Sequence, residues 1–173
     1  MRSIFKWGGC NHAMMGKLAR LWLMLMLTFS LIGLFASSIV IYTYYYLREL
    51  PPLCSTFKSP FPGITIDCER VLSSKYSDIG GVPLDLLAAV WFVINIILVI
   101  LYNFGSGNVA TLAINALFYW RFLGIIIVPY LIVVETYLLH ALCVYCTIMH
   151  IMIIIDFTVV TVFFTRLKRS LMA

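Results

Sequence analysis

The chain has 173 residues, of which 63% are hydrophobic and 11% charged, with a formal net charge of +5 and a mean hydropathy of +1.03. A water-soluble domain has no way to hide that much apolar surface, so the composition excludes a soluble globular protein and points to a polytopic membrane protein. The basic residues lie in short clusters beside apolar runs, which argues against a nucleic-acid partner and for a lipid bilayer.

Arg2, Lys6, Lys17 and Arg20 precede the first apolar run without an acidic residue among them. That run, Leu21 to Leu47, is longer than the apolar region of a cleavable signal peptide. No small-residue cleavage site stands ahead of Tyr42, Tyr44, Tyr45 and Tyr46, so it reads as an anchor. A polar loop follows from Arg48 to Pro83, its basic and acidic residues in balance. It carries Cys54 and Cys68, and its prolines (Pro51, Pro52, Pro60 and Pro62) together with Gly63 suit a segment able to swing Cys54 toward a soluble partner.

The second apolar run is Leu84 to Tyr102. Asp85, just after Pro83, is expected to be an ordinary first-turn acid at a helix N-terminus. After the turn Gly105-Ser106-Gly107-Asn108, the stretch Val109 to Leu139 is too long for one upright span, and Trp120-Arg121 divides it. An aromatic beside an Arg is a membrane-surface signature, so the third span is expected to begin near Phe122, with Val109 to Trp120 an interfacial or partly inserted helix. Glu135 lies close to the end of this span, a break follows around His140, and the last run extends from Cys143 to Thr165. Arg166, Lys168 and Arg169 close the chain's basic pattern.

Four spans, each needing about 20 helical residues, define an all-α fold: a four-transmembrane-helix bundle. Basic residues flanking the first and last spans put both termini in the cytoplasm of a plasma membrane. Residues 1–20 are then a basic N-terminus, 21–165 the transmembrane domain with its outer loop at 48–83, and 166–173 a basic tail.

This topology sorts the five cysteines. Cys54, Cys68, Cys143 and Cys146 share the outer side, and Cys10 is alone in the cytoplasm. Four thiols in an oxidising compartment suit two disulfides, with Cys10 a bystander. Cys143-Val144-Tyr145-Cys146 is a C-x-x-C at the mouth of the last helix, where unpaired N–H groups and the helix dipole stabilise a thiolate. Cys143 is at the rim. Cys146 is one turn deeper, with His150 one turn below on the same face, placed to hydrogen-bond a membrane-soluble electron acceptor or to assist proton transfer. Glu135 is a second candidate for that acceptor pocket, whereas Asp156 points away and is expected to make a polar contact between helices. The residues alone leave three readings open. They are a thiol–disulfide relay, a membrane metal protein using the four outer sulfurs as a tetrahedral site, and a scaffold with stapled loops.

The stretch Cys68-Glu69-Arg70-Val71-Leu72-Ser73-Ser74-Lys75-Tyr76, with Gly81-Val82-Pro83 after it and Cys143-Val144-Tyr145-Cys146 downstream, resembles the vitamin K epoxide reductase family over about residues 20–165. The resemblance implies a catalytic four-helix bundle around a quinone, capped by a short loop helix near Ser74. It implies that Cys54 exchanges with a soluble thioredoxin-fold partner outside the cytoplasm and that Cys68 attacks Cys143. Cys146 would face the quinone, and Ser74 would orient the loop. His150 stands where vertebrate members carry a Tyr against the vitamin K head group, which argues against vitamin K epoxide reduction, the alternative activity. Prokaryotic members instead make disulfides and reduce a membrane quinone such as ubiquinone or menaquinone. No metal is implied, and the thiol partner is expected to be a separate chain.

Overall fold

Four helices are long and apolar enough to cross a bilayer: Arg20–Leu47, Leu84–Phe104, Asn108–Leu138 and Val144–Phe163. The computed structural model describes residues 12–54, 57–58 and 63–172; Cys10, Arg2 and Lys6 lie outside the described residues. Helix α1 (His12–Val40) continues as a π-helical turn, Ile41–Leu47. The loop contributes strands β1 (Phe57–Lys58) and β2 (Thr65–Ile66), the short helix α2 (Cys68–Leu72), and the strands β3 (Asp78–Ile79) and β4 (Val82–Pro83). Helix α3 (Leu84–Phe104), helix α4 (Asn108–Val133) with its π-helical turn Val134–Leu138, strand β5 (Ala141–Leu142) and helix α5 (Val144–Met172) follow. The α1 helix packs against α3 and α5, and α4 packs against the same two, so the long helices close into a ring. Phe35, Leu112, Ile126 and other large apolar side chains remain exposed on its outside, the pattern of a surface solvated by lipid.

The interior is layered. One apolar cluster, built on Ala36, Val40, Phe92, Val128, Met149 and Ile153, lies at the end that carries the cysteines. A second, built on Leu23, Met26, Val99, Ile114, Leu117, Val160 and Phe163, lies at the opposite end. Between them each long helix contributes one buried polar residue: Ser30, Asn95, Arg121 and Asp156. Arg121 donates to Asp156 Oδ2 from Nε at 3.2 Å and from Nη2 at 3.0 Å.

This layer corrects the expected third span. The helix runs unbroken from Asn108, and Val109 to Trp120 is part of it rather than a separate interfacial segment. Arg121 is 0% exposed instead of at the membrane surface, and Trp120 turns inward to donate from Nε1 to the Trp91 carbonyl at 3.3 Å. A buried cation is tolerated where a carboxylate on another helix meets it, and Asp156 supplies the interhelical contact expected of it.

Close approach of α1 and α3 depends on Gly33, where a Cβ would overlap the ring of the fully buried Phe92. Small residues at such crossings let helix backbones approach. Gly33→Val is therefore expected to destabilise the bundle by about 1–3 kcal/mol, the usual penalty of overpacking, read as a lower midpoint in a detergent unfolding titration. Phe92→Ala placed in the same chain should recover part of the overpacking loss, and no recovery would show that Gly33 matters for another reason.

Candidate functional site

Short strands of the loop bring the four described cysteines together. β2 pairs antiparallel with β1 and parallel with β5, in the register Thr65 to Ala141 and Ile66 to Leu142. The Asp67 N–H extends this pairing to the Leu142 carbonyl at 3.0 Å. The chain then enters α2 at Cys68 on one side and α5 just after Cys143 on the other. Asp67 caps α2, its carboxylate accepting from the Arg70 N–H at 3.1 Å. Cys54, Cys68 and Cys143 belong to one buried cluster, Cys54 and Cys68 are joined as a disulfide, and Cys143 and Cys146 are free thiols. The sulfurs thus stand as one disulfide and one dithiol, and no metal-holding group of three or more His, Cys, Asp or Glu occurs among the described residues.

At the C-x-x-C, Cys143 takes the place of a capping residue. Its Sγ accepts from the Cys146 N–H at 3.4 Å, and its carbonyl accepts from the Thr147 N–H at 2.9 Å. A sulfur so placed satisfies a donor that would otherwise be unpaired at the start of a helix. The expected rim position is nevertheless roofed over, because Cys143 is wholly buried. Tyr145, between the two cysteines, donates from its hydroxyl to the Pro52 carbonyl at 2.7 Å and so ties the loop to α5. Cys54 is buried as well in its disulfide, being 5% exposed. The turn before it, closed by the Cys54 N–H to the Pro51 carbonyl at 3.1 Å, has Leu53 at φ 66°. That is the position in a type II turn where glycine is favoured, so the backbone beside the disulfide is strained.

Cys146 opens, on its inner side, into a pocket. Its walls include Leu72, Ala88, Leu131, Val134, Met149 and Ile153, and its polar positions include Ser74, Asp85, Glu135 and His150. Ser74 organises the rim: its Oγ accepts from the Tyr76 N–H at 3.3 Å, and its carbonyl accepts from the Ser77 hydroxyl at 2.8 Å. Beyond it, Gly80 and Gly81 have φ of 64° and 83° and form the two-residue link of the β3–β4 hairpin, a turn that requires positive φ at both positions. The hairpin delivers the chain into α3 at Leu84, whose N–H reaches the Ser77 carbonyl at 2.9 Å.

Of the residues singled out from sequence, Ser74, Glu135, Cys146 and His150 all reach this pocket. Cys54, Cys68 and Cys143 lie in the adjoining cluster rather than in its wall. Asp85 occupies the first turn of α3 as expected; beyond that, it lines the pocket and its carboxylate accepts from the Tyr45 hydroxyl at 3.4 Å. Tyr45 and Tyr145 had no signal beyond their type, since each acts through a partner distant in sequence.

A family model described as the vitamin K epoxide reductase family matches residues 24–161. No curated protein and no solved structure matches the chain. The matched span takes in the loop disulfide, the pocket and the C-x-x-C, and the chain belongs to the vitamin K epoxide reductase family.

Proposed function

We propose that this protein is a quinone-coupled thiol oxidase: it oxidises a soluble thioredoxin-fold protein outside the cytoplasm and passes the electrons to a membrane quinone. Members of its family are membrane oxidoreductases acting on quinone-type substrates. The observation that carries the finer reading is the redox asymmetry of the four described cysteines. A disulfide, Cys54–Cys68, and a dithiol, Cys143 and Cys146, are held together by the β2–β5 pairing, and among these cysteines Cys146 alone lines the pocket.

In this reading the partner's dithiol reduces Cys54–Cys68 and leaves as a disulfide. The Cys68 thiolate then attacks Cys143 of an oxidised Cys143–Cys146 pair, releasing the Cys146 thiolate. Cys54 resolves the mixed disulfide, which regenerates Cys54–Cys68 and leaves a Cys143/Cys146 dithiol. A quinone in the pocket supplies a two-electron sink, and the pair returns to the disulfide. Apolar walls with a few polar groups suit a quinone ring. His150 presents a ring N–H to one of its oxygens, and Ser74 keeps the rim in place. The basic flanks favour an orientation with both termini in the cytoplasm of the plasma membrane.

Purified protein supplied with a reduced thioredoxin-fold domain and a short-chain quinone is expected to form one partner disulfide per hydroquinone, and none without quinone. Partner oxidation that ignores the quinone would overturn the reading. In the same assay His150→Phe is expected to slow quinone reduction about tenfold, the worth of one hydrogen bond, with partner exchange unchanged. An equal fall in both rates would make His150 structural.

A further inference from the structure

Two buried carboxyl groups have no task in that relay. Asp85 on α3 and Glu135 at the end of α4 are each 4% exposed, both line the pocket that Cys146 enters, and neither forms an ion pair among the described residues. Irregular backbone sets their surroundings. Glu135 is carried on the π-helical turn Val134–Leu138, and the Tyr45 that binds Asp85 is carried on the π-helical turn Ile41–Leu47. Such turns re-aim side chains within a helix and are concentrated at functional sites. The other titratable groups around this space are Tyr45 from α1, Tyr76 from the loop, and Cys146 and His150 from α5. Lysine and arginine are absent from the pocket lining. A carboxyl group can release and regain one proton, so each of these is able to carry one.

The chemistry proposed above moves two protons. Oxidising a dithiol breaks two S–H bonds, and reducing a quinone forms two O–H bonds on opposite edges of its ring. We propose that Asp85 and Glu135 are the proton-transfer groups of this step. They deliver one proton to each quinone oxygen and are reprotonated by the two released as Cys143 and Cys146 join. One S–S bond forms, two electrons and two protons reach the quinone, and both carboxyl groups return to their starting state. Tyr45 is a positioning residue, acting through Asp85. The assignment rests on the quinone reading.

The test is single-turnover stopped flow. Fully reduced protein is mixed with a short-chain quinone and hydroquinone formation is followed against pH. Asp85→Asn and Glu135→Gln are each expected to slow this step about 100-fold, within the usual range for a lost general acid or base, and to flatten its pH profile. Reduction of Cys54–Cys68 by dithiothreitol and the unfolding midpoint should stay at wild-type values. Added formate should restore part of the rate to Glu135→Ala, which no structural role would allow. Rates and pH profiles within twofold of wild type in both carboxamide variants would overturn the assignment while leaving the oxidase reading intact. A wild-type protein that reduces no quinone would overturn both.

Discussion

Arg121→Leu is expected to destabilise the bundle by about 3 kcal/mol, and Asp156→Leu by a similar amount, because each leaves an uncompensated charge in the interior. One oxygen, Asp156 Oδ2, accepts from Arg121 Nε and Nη2 at 3.2 and 3.0 Å, from Ser30 Oγ at 3.3 Å and from Asn95 Nδ2 at 3.4 Å. All four long helices therefore converge on a single carboxylate. The double replacement Arg121→Leu with Asp156→Leu should be no less stable than wild type. Arg121 Nη1, Asp156 Oδ1 and Asn95 Oδ1 lack partners among the described residues, so the network is only partly satisfied there, and partly satisfied buried pairs are often matched by apolar side chains. Unfolding midpoints of the three variants in a detergent titration check this. A double variant destabilised by the sum of the singles would show that the pair contributes net stability rather than register.

Cys146→Ala is expected to abolish quinone reduction, a fall of about 10⁴-fold or more as for other lost nucleophiles. It should also trap the relay at an identifiable point. With no sulfur at position 146, the Cys143 thiolate attacks the Cys54–Cys68 disulfide at Cys68 and frees Cys54. The resulting Cys68–Cys143 bond cannot be broken from position 146 and reverts only by return attack of the freed Cys54, so alkylating that thiol holds it. Non-reducing gels and mass mapping should find that bond in Cys146→Ala and not in Cys143→Ala. Cys54→Ala, by contrast, should leave a prereduced protein able to reduce quinone, while losing oxidation of the thioredoxin-fold partner. Loss of quinone reduction in the prereduced Cys54→Ala protein would contradict the division of labour between the two pairs.

The outline was legible in the chain because its signals are local. Hydropathy marks a crossing wherever enough apolar residues follow one another, and the described helices begin and end close to the runs read from sequence. The C-x-x-C at the mouth of the last helix, the short helix ahead of Ser74 and the glycine pair before α3 are likewise local patterns. Trp120-Arg121 misled for the complementary reason. Read locally, an Arg beside a Trp belongs at a membrane surface, and nothing within a few residues of it announces Asp156. The partner of a buried charge lies on another helix, and only packing brings it near.

The same distinction separates the rest. Sequence by itself determined a four-span membrane protein with a cysteine-bearing loop and a dithiol motif where a helix begins, since length, apolar content and motif spacing are properties of the chain. Only the tertiary structure decided that two-residue strands tie that loop to the C-x-x-C. Strands so short have no periodicity to read, and their hydrogen-bond partners lie far along the chain. It alone placed Asp85, a first-turn acid, in the pocket wall as well, and made Arg121 and Asp156 the polar layer between two apolar clusters. In each case the physical reason is desolvation, because a buried polar group must find a partner and the fold determines which one is within reach.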